Sequence, residues 1–181
     1  SDVYKRQIQM QDTADFPNYQ SELTYLVTDQ KRLNYISGLI DEMSKNGNTL
    51  VLVDRIKCGE KLQELLPNAT FVKGAMKSAD RKDTYTEINE STNMVVIATY
   101  GVAAVGINIP RIFNLVLIEP GKSFVRVIQS IGRGIRKAKD KDHIQIWDIT
   151  SSCKFSKRHL TQRKKFYREA HYPFSVQKVD Y

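Results

Sequence analysis

The sequence is poor in cysteine, histidine and tryptophan. Its 181 residues include two cysteines, three histidines and one tryptophan. The two cysteines, Cys58 and Cys153, are too few for a disulfide framework, and no CxxC pair suggests a structural zinc site. The histidines lack the spacing of metal ligands. We therefore expect no bound metal and a reducing, cytoplasmic setting.

Long apolar runs are also missing. No segment approaches the ~18 consecutive apolar residues that a membrane span needs. The opening residues, SDVYKRQIQM, lack the apolar centre of a signal peptide. With 41% hydrophobic and 27% charged residues, the composition is that of an ordinary globular chain. We expect one domain with a small extension and no membrane partner.

Acidic residues are outnumbered by basic ones. The chain has 28 Lys and Arg against 20 Asp and Glu, a formal net charge of +8. The basic excess is concentrated between residues 122 and 168. Such a surface favours a polyanionic partner. No basic amphipathic segment has a large apolar side, so nucleic acid ranks above an anionic membrane.

Short apolar runs alternate with amphipathic segments along most of the chain. Strands are predicted at LTYLVT (23–28), TLVLV (49–53), TFV (70–72), MVVIA (94–98), NLVLI (114–118) and IQIWDI (144–149). Helices are predicted between them; the first is capped by Asp29 and another by Ser78. This alternation is typical of an α/β domain with a mainly parallel sheet and helices on both faces. Ligands of such folds bind beyond the carboxyl ends of the strands.

Three segments are predicted along the chain. Residues 1–20 are polar and are interpreted as a linker or an edge segment. Residues 21–150 carry the α/β pattern. Residues 151–181 form a basic C-terminal extension packed on it, with Leu160 and Tyr167 on the inner side of a helix and a short final strand at PFSVQKV.

The stretch ATYGVAAVGINIP, residues 98–110, follows a predicted strand. Thr99 lies just beyond the strand end, where a hydroxyl can meet a phosphate. Gly101 and Gly106 allow the backbone to approach a ligand closely, and Asn108 offers a polar side chain. Taken alone, an ordinary loop with glycines for turns explains the stretch equally well.

The stretch QSIGRGIR, residues 129–136, places Arg133 and Arg136 three residues apart. Gly132 and Gly134 interrupt a predicted helix at a cost of up to ~1 kcal/mol each relative to Ala, which suggests that geometry is selected. Arginine can donate a forked pair of hydrogen bonds to a phosphate, whereas lysine is a point charge. Taken alone, a solvated basic helix end is the better explanation of two arginines.

Together the two stretches are far more specific. The order of a buried strand, A-T-x6-G-x-N-I-P, a strand, a helix and Q-x-x-G-R-x-x-R resembles motifs V and VI of the superfamily 2 helicases. TLVLVDR is similar to motif IV of that family, and FVKGAMKSADR to the strand and loop that follow it. The resemblance runs from residue 50 to 149. It implies a RecA-like three-layer domain, the second motor domain of a helicase that binds ATP between two such domains.

The resemblance also implies roles for individual residues. Arg133 and Arg136 match the motif VI arginines that reach the γ-phosphate, and they are the candidate catalytic residues. The residues matched to the nucleotide are Gly106, Asn108 and Gln129. Those matched to the DNA backbone are Arg55, Lys73, Gly74 and Thr99. Lys164 and Lys165 of the extension are further DNA-binding candidates because basic side chains release counterions on binding.

Some family features are changed or missing. Ser130 stands where many relatives have arginine, and Asn108 stands where many have aspartate. The chain has no GxxxxGKS/T phosphate loop and no DExx box; GKSF at residues 121–124 is preceded by Val116 where the loop needs glycine. The resemblance therefore implies that ATP and Mg²⁺ serve the intact protein, with none held by this segment alone. The N-terminal RecA-like domain of the same polypeptide is the expected partner, and the segment alone is predicted inactive.

The sequence thus predicts the second motor domain of an ATP-dependent DNA helicase or translocase. Its expected substrates are a single-stranded tracking strand and branched or duplex DNA in recombination, repair or replication. The alternatives are a non-enzymatic nucleic-acid-binding α/β module and half of an RNA helicase. The preference for DNA comes from the resemblance, because backbone contacts specify neither base nor sugar. A Rossmann-type enzyme ranks last, since no GxGxxG follows the first strand.

Overall fold

A seven-stranded sheet forms the centre of the computed structural model, which describes residues 2–74, 76–105, 111–121, 128, 143–169 and 171–181. The strands are β1 (Asp2–Met10), β2 (Thr49–Val53), β3 (Thr70–Val72), β4 (Val95–Thr99), β5 (Asn114–Ile118), β6 (His143–Ser151) and β7 (Phe174–Val179). Their order across the sheet is β3-β4-β2-β5-β6-β1-β7, and every pairing is parallel. The carboxyl ends of all seven strands therefore share one edge.

Helices cover both faces of this sheet. The described helices are α1 (Tyr19–Thr28), α2 (Gln30–Ser44), α3 (Ile56–Leu65), α4 (Ser78–Asn89), α5 (Tyr100–Ala104) and α6 (Lys154–Glu169). Helices α1, α2 and α3 pack on one face, and α4, α5 and α6 pack on the other. This arrangement confirms the predicted α/β fold of the RecA-like, three-layer type. None of the described helices is both long enough and apolar enough to cross a membrane.

The run TLVLV shows why an unbroken apolar run predicts a buried strand. All five residues of β2 are buried. Leu50 and Leu52 face the core beneath α4, α5 and α6, whereas Val51 and Val53 face the core beneath α1, α2 and α3. A strand that is covered on both faces needs apolar side chains at every position.

The prediction of a strand at residues 23–28 is wrong, because these residues form the second half of α1. The side chain of Asn18 caps the helix by accepting a hydrogen bond from the N–H of Ser21 at 2.9 Å. Leu23 and Val27, four residues apart, then pack into the same core. Capping and burial of a helical stripe override the β-propensity of LTYLVT.

The structure also differs from the linker or edge segment predicted for residues 1–20. Strand β1 lies inside the sheet, hydrogen-bonded to β6 on one side and β7 on the other. Its buried side chains include Lys5, Gln7 and Gln9. Because these residues are polar, the sequence of this strand is similar to that of a solvated segment. The sheet consequently crosses the boundaries at residues 20 and 150, although the division into three segments stays a prediction.

Of the two predicted helix caps, Asp29 is confirmed and Ser78 is wrong. Asp29 caps α2 by accepting from the N–H of Arg32 at 3.0 Å, as predicted. Ser78 is the first residue of α4, and Lys77 occupies the cap position without a side-chain hydrogen bond. The helix predicted between the strands at 114–118 and 144–149 lies outside the described residues, apart from the helical, buried Ile128.

Asn48 ties three elements together at the amino edge of the sheet. Its fully buried side-chain amide donates to the carbonyl oxygens of Ile88 and Ser91, both at 2.9 Å. Its Oδ1 accepts from the N–H of Met94 at 2.8 Å. One side chain thus satisfies three main-chain groups between α4 and β4.

Replacement of Asn48 by alanine should leave those groups without partners. At ~1 kcal/mol net for each hydrogen bond, we expect the free energy of unfolding to fall by about 2–4 kcal/mol in urea titrations. Asn46→Ala, at an exposed position of the same turn, is the matched control and should stay within ~0.5 kcal/mol of wild type. A loss below about 1 kcal/mol for Asn48→Ala would contradict the account.

Candidate functional site

Four of the predicted nucleic-acid contacts lie at the carboxyl edge of the sheet. Arg55 follows β2, Lys73 and Gly74 follow β3, and Thr99 ends β4. Strands β3, β4 and β2 are immediate neighbours in the sheet. The parallel topology therefore brings these four residues, which are far apart in the sequence, to one side of the molecule.

Arg55 is half-buried at the start of α3. Its Nη1 donates to Thr24 Oγ1 at 3.1 Å, and its Nε donates to Asp54 at 3.2 Å. The Arg55 and Asp54 side chains keep 32% and 40% of their surface exposed. Because exposed ion pairs contribute little to stability, the guanidinium can exchange these partners for a phosphate at small cost.

Thr99 and the turn after β3 lie against each other through α5. Thr99 Oγ1 accepts from the N–H of Val102 at 3.3 Å, which leaves the hydroxyl proton to donate. A Cβ added at Gly74 would lie 3.9 Å from Val102 Cγ2, so that turn contacts the same helix. Lys73, beside it, is exposed. Thr99 and the turn at Gly74 therefore both border α5.

Lys164 and Lys165 are not grouped with these residues. Helix α6 begins at Lys154, near the carboxyl edge, and rises ~1.5 Å per residue. The two lysines therefore lie roughly 15 Å along the helix from its start. Lys164 is half-buried, and Lys165 is exposed with its Nζ 3.9 Å from Glu169.

Arg163, a basic residue of the predicted C-terminal extension, does not lie on its surface. It is buried, and its Nε and Nη2 donate to the two carboxylate oxygens of Asp148 at 2.7 and 2.9 Å. Gln7 and Tyr167 also donate to that carboxylate, each at 3.2 Å. A signal was present in the sequence: Leu160, Arg163 and Tyr167 fall on one helical face.

A buried charged cluster at the carboxyl edge was not predicted. Arg32, fully buried in α2, pairs with Asp12 beyond β1 and with Glu119 beyond β5. The Nη2–Oε1 distance to Glu119 is 3.5 Å. Tyr181 donates to Asp12, and Ser156 donates to Glu119 at 2.8 Å. The cluster therefore joins α2, β1, β5, α6 and the end of the chain.

Glu22 holds the first turn of α6 in the same region. Its buried carboxylate accepts from the N–H groups of Phe155 and Ser156 at 3.0 and 2.8 Å. A carboxylate is favourable at the N-terminal end of a helix, where N–H groups lack partners. Helix α1 thereby fixes where α6 begins.

Burial shifts the protonation of Glu119. Desolvation raises the pKa of its carboxyl from the ordinary 4.5 to about 7, against the opposing effects of Arg32 and the Ser156 hydrogen bond. Although burial alone would lower the pKa of Arg32, Glu119 and Asp12 raise it, so the guanidinium stays charged. Glu119 therefore changes charge near neutral pH.

A cleft of about 630 Å³ opens beside Glu119. Its floor is Glu119, Pro120 and Gly121. Its walls come from α1, α6 and the ends of β2 and β4: Tyr19, Phe155, Arg158, His159, Gln162, Asp54 and Tyr100. The volume falls in the ~300–1,000 Å³ range typical of ligand sites.

The remaining predicted site residues lie outside the described part of the chain. They are Gly106, Asn108, Gln129, Arg133 and Arg136. Within the described part, no group of three or more His, Cys, Asp or Glu side chains is placed to hold a metal ion.

The fold and the motif order define a class of protein. The helicase conserved C-terminal domain family matches residues 31–138, and the chain belongs to this family. It is a superfamily 2 helicase C-terminal domain, which confirms the resemblance found in the sequence.

Two viral proteins are similar to this chain in sequence. The chain is 26% identical over 153 residues to the ATP-dependent DNA helicase UvsW of Enterobacteria phage T4, a match that covers 82% of this chain and 30% of the relative. It is 32% identical over 104 residues to putative helicase 22 of Sulfolobus islandicus filamentous virus, covering 55% of this chain and 18% of that protein. The chain thus spans less than a third of either curated relative.

Solved structures agree in fold. The crystal structure of T4 UvsW matches with a TM-score of 0.87 and 19% identity, covering 98% of this chain and 42% of that one. Domain 2 of the DEAD-box helicase Mss116p, bound to an RNA duplex, matches with a TM-score of 0.60 and 14% identity, covering 98% and 63%.

The titration of Glu119 generates a stability prediction. Between pH 4.5 and about 7 the folded state holds a proton that the unfolded state releases. This contribution to stability is therefore complete below pH 4.5 and is lost as the pH rises through about 7. We expect the free energy of unfolding of wild type, relative to Glu119→Gln, to fall by about 1–3 kcal/mol over this window.

Urea titrations at several pH values measure this difference. Glu60→Gln, which removes an exposed carboxylate from α3, is the matched control. The prediction would be contradicted if the free energy of unfolding of wild type, relative to that of Glu119→Gln, rose with pH.

Proposed function

We propose that this chain is the second motor domain of an ATP-dependent DNA helicase or translocase. The observation that carries the proposal is the grouping of Arg55, Lys73, Gly74 and Thr99 at one sheet edge in a helicase C-terminal domain. Similarity to a DNA helicase, UvsW, favours DNA. An RNA helicase half is the second candidate, supported by the fold shared with an RNA-bound DEAD-box domain.

The carboxyl edge is suited to the sugar-phosphate backbone. Arg55 and Lys73 offer positive charge, and Thr99 offers a hydroxyl donor close to the turn at Gly74. Such contacts position a strand without reading its sequence. A motor that moves along DNA needs this indifference to bases. The net charge of +8 adds a general attraction for the polyanion.

The nucleotide roles follow from the family motifs. Arg133 and Arg136 would neutralise the charge that spreads over the phosphoryl oxygens during ATP hydrolysis, and such an arginine can be worth ~10³ to 10⁵ in rate. Gly106, Asn108 and Gln129 would line the same nucleotide. ATP and Mg²⁺ would be held mainly by an N-terminal RecA-like domain, which supplies the phosphate loop and the DExx box.

The two arginines can be tested in the intact protein. Arg133→Ala and Arg136→Ala should each lower the kcat of DNA-stimulated ATP hydrolysis by roughly 10³-fold or more, with DNA affinity near wild type. Lys139→Ala, in the adjoining basic run, is the matched control and should keep kcat near wild type. The 181-residue chain alone should show no DNA-stimulated turnover, which sets the background. A normal kcat with weakened DNA binding would make the arginines DNA contacts only.

Salt dependence tests the DNA-binding residues. Arg55→Ala and Lys73→Ala should weaken binding across sequences and reduce the slope of log K against log salt by ~0.7 per lost contact for single strands. Lys164→Ala with Lys165→Ala tests the extension, at ~0.9 per contact on duplex DNA. Lys45→Ala, exposed after α2 and away from the carboxyl edge, should change nothing. Unchanged slopes in the edge variants would overturn the edge assignment, and an unchanged slope in the α6 pair would exclude that pair.

A further inference from the structure

The cleft beside Glu119 has an aromatic wall. The Tyr19 ring lies 4.9 Å from the His159 ring and 6.3 Å from the Phe155 ring, in edge-on arrangements of 65° and 72°. All three side chains are half-buried, so part of each ring faces the cleft. The wall joins α1 to α6 and is held by the Glu22 contacts to the start of α6.

The floor of the cleft is shaped by a glycine. Gly121 has a φ of +64°, a conformation that disfavours other residues. A Cβ at this position would also lie 3.3 Å from the Tyr19 hydroxyl oxygen. A larger residue would therefore push against the aromatic wall and reduce the space in front of it.

Charge is distributed unevenly around the cleft. Lys154 Nζ and Arg158 Cζ lie 5.4 and 5.5 Å from the centre of the Phe155 ring, and both side chains are exposed. The carboxylates of Asp54 and Glu119 line the cleft together with Arg158. A phosphate beside these acids would be repelled, whereas a phosphate beside the exposed side chains of Lys154 and Arg158 would be attracted. A nucleobase, by contrast, can donate its N–H groups to carboxylates.

The cleft adjoins the proposed DNA path. Asp54 precedes Arg55 in the chain, and Tyr100 follows Thr99, so two lining residues are each one residue, or ~3.8 Å between Cα atoms, from a proposed phosphate contact. A strand whose phosphates meet Arg55 and Thr99 would therefore pass the mouth of the cleft.

We propose that this cleft binds one base of single-stranded DNA, stacked against Tyr19, Phe155 and His159, while its phosphate stays outside on Arg158 and Lys154. The position of the strand rests on the proposed function. Every base has an aromatic face, so stacking adds affinity without demanding a sequence. The carboxyl edge would therefore bind a base in addition to contacting phosphates.

The test compares two ligands for the full chain. A dT oligonucleotide of about 12 nucleotides carries bases and phosphates, and an abasic oligonucleotide of the same length carries phosphates alone. We expect the dT ligand to bind wild type roughly 5- to 150-fold more tightly, the range for one stacked base. Phe155→Leu should remove most of this preference without weakening the abasic complex.

Two further variants separate stacking from stability. Phe166→Leu makes the same substitution near the other end of α6 and should keep the preference. Phe155→Trp should retain the preference, and its fluorescence, after subtraction of the Trp147 signal in wild type, should be quenched by dT but not by the abasic ligand. Thermal melts of all variants show whether the fold is kept.

Each outcome decides a different question. Equal binding of dT and abasic ligands by wild type, or an unchanged preference in Phe155→Leu, would overturn the base site and leave the proposed motor function intact. Binding of neither ligand would overturn both. Quenching of Phe155→Trp by ATP alone, with release of bound dT, would assign the cleft to a free nucleotide and overturn its assignment to the strand.

Discussion

The carboxyl edge of this domain depends on a buried guanidinium. Arg32 is fully enclosed, and a charge in such a place is tolerated only when it is paired and hydrogen-bonded. Its partners, Asp12 and Glu119, come from the ends of β1 and β5 and are themselves bonded to Tyr181 and Ser156. The requirement to satisfy one charge therefore fastens α2, two strands, α6 and the final residue to each other, at the edge where parallel strands place their ligands.

The paired charges around Arg32 fix the carboxyl edge, while the side chains on its surface can still change partners. Glu119 belongs to the charged cluster and also lines the cleft, so the cleft is built directly on that cluster. Arg55 and Thr99 lie at the ends of neighbouring strands, and the exposed ion pair of Arg55 can be exchanged for a phosphate, as suits the proposed contact with a moving strand. In the proposed function, Arg133 and Arg136 would act from the same domain on ATP held by an N-terminal RecA-like domain.

Sequence patterns predicted the parts that follow local rules. TLVLV was recognised because a doubly covered strand has no polar position, and the Asp29 cap because the backbone hydrogen bond is local. The wrong predictions share a cause, because the burial of these residues depends on partners that are distant in the sequence. Strand β1 resembles a solvated segment because the partners of its buried polar side chains, the Tyr172 ring for Lys5 and Asp148 for Gln7, lie elsewhere in the chain. Arg163 resembles a surface residue because its partner, Asp148, is in another element. The motifs of the candidate site could be recognised in the sequence because each is a short continuous stretch. The aromatic cleft could not be predicted in this way, because it joins residues from opposite ends of the sequence.

Nucleic acid is proposed to lie along the carboxyl edge of this sheet. Hydrogen–deuterium exchange of the chain, with and without single-stranded DNA, measures this directly. We expect slower exchange in segments 54–56, 73–74 and 99–102, which follow β2, β3 and β4. Segments 46–48 and 92–94, which precede β2 and β4 at the opposite edge, should exchange at unchanged rates. Slower exchange at the amino edge, with none at the carboxyl edge, would contradict the account.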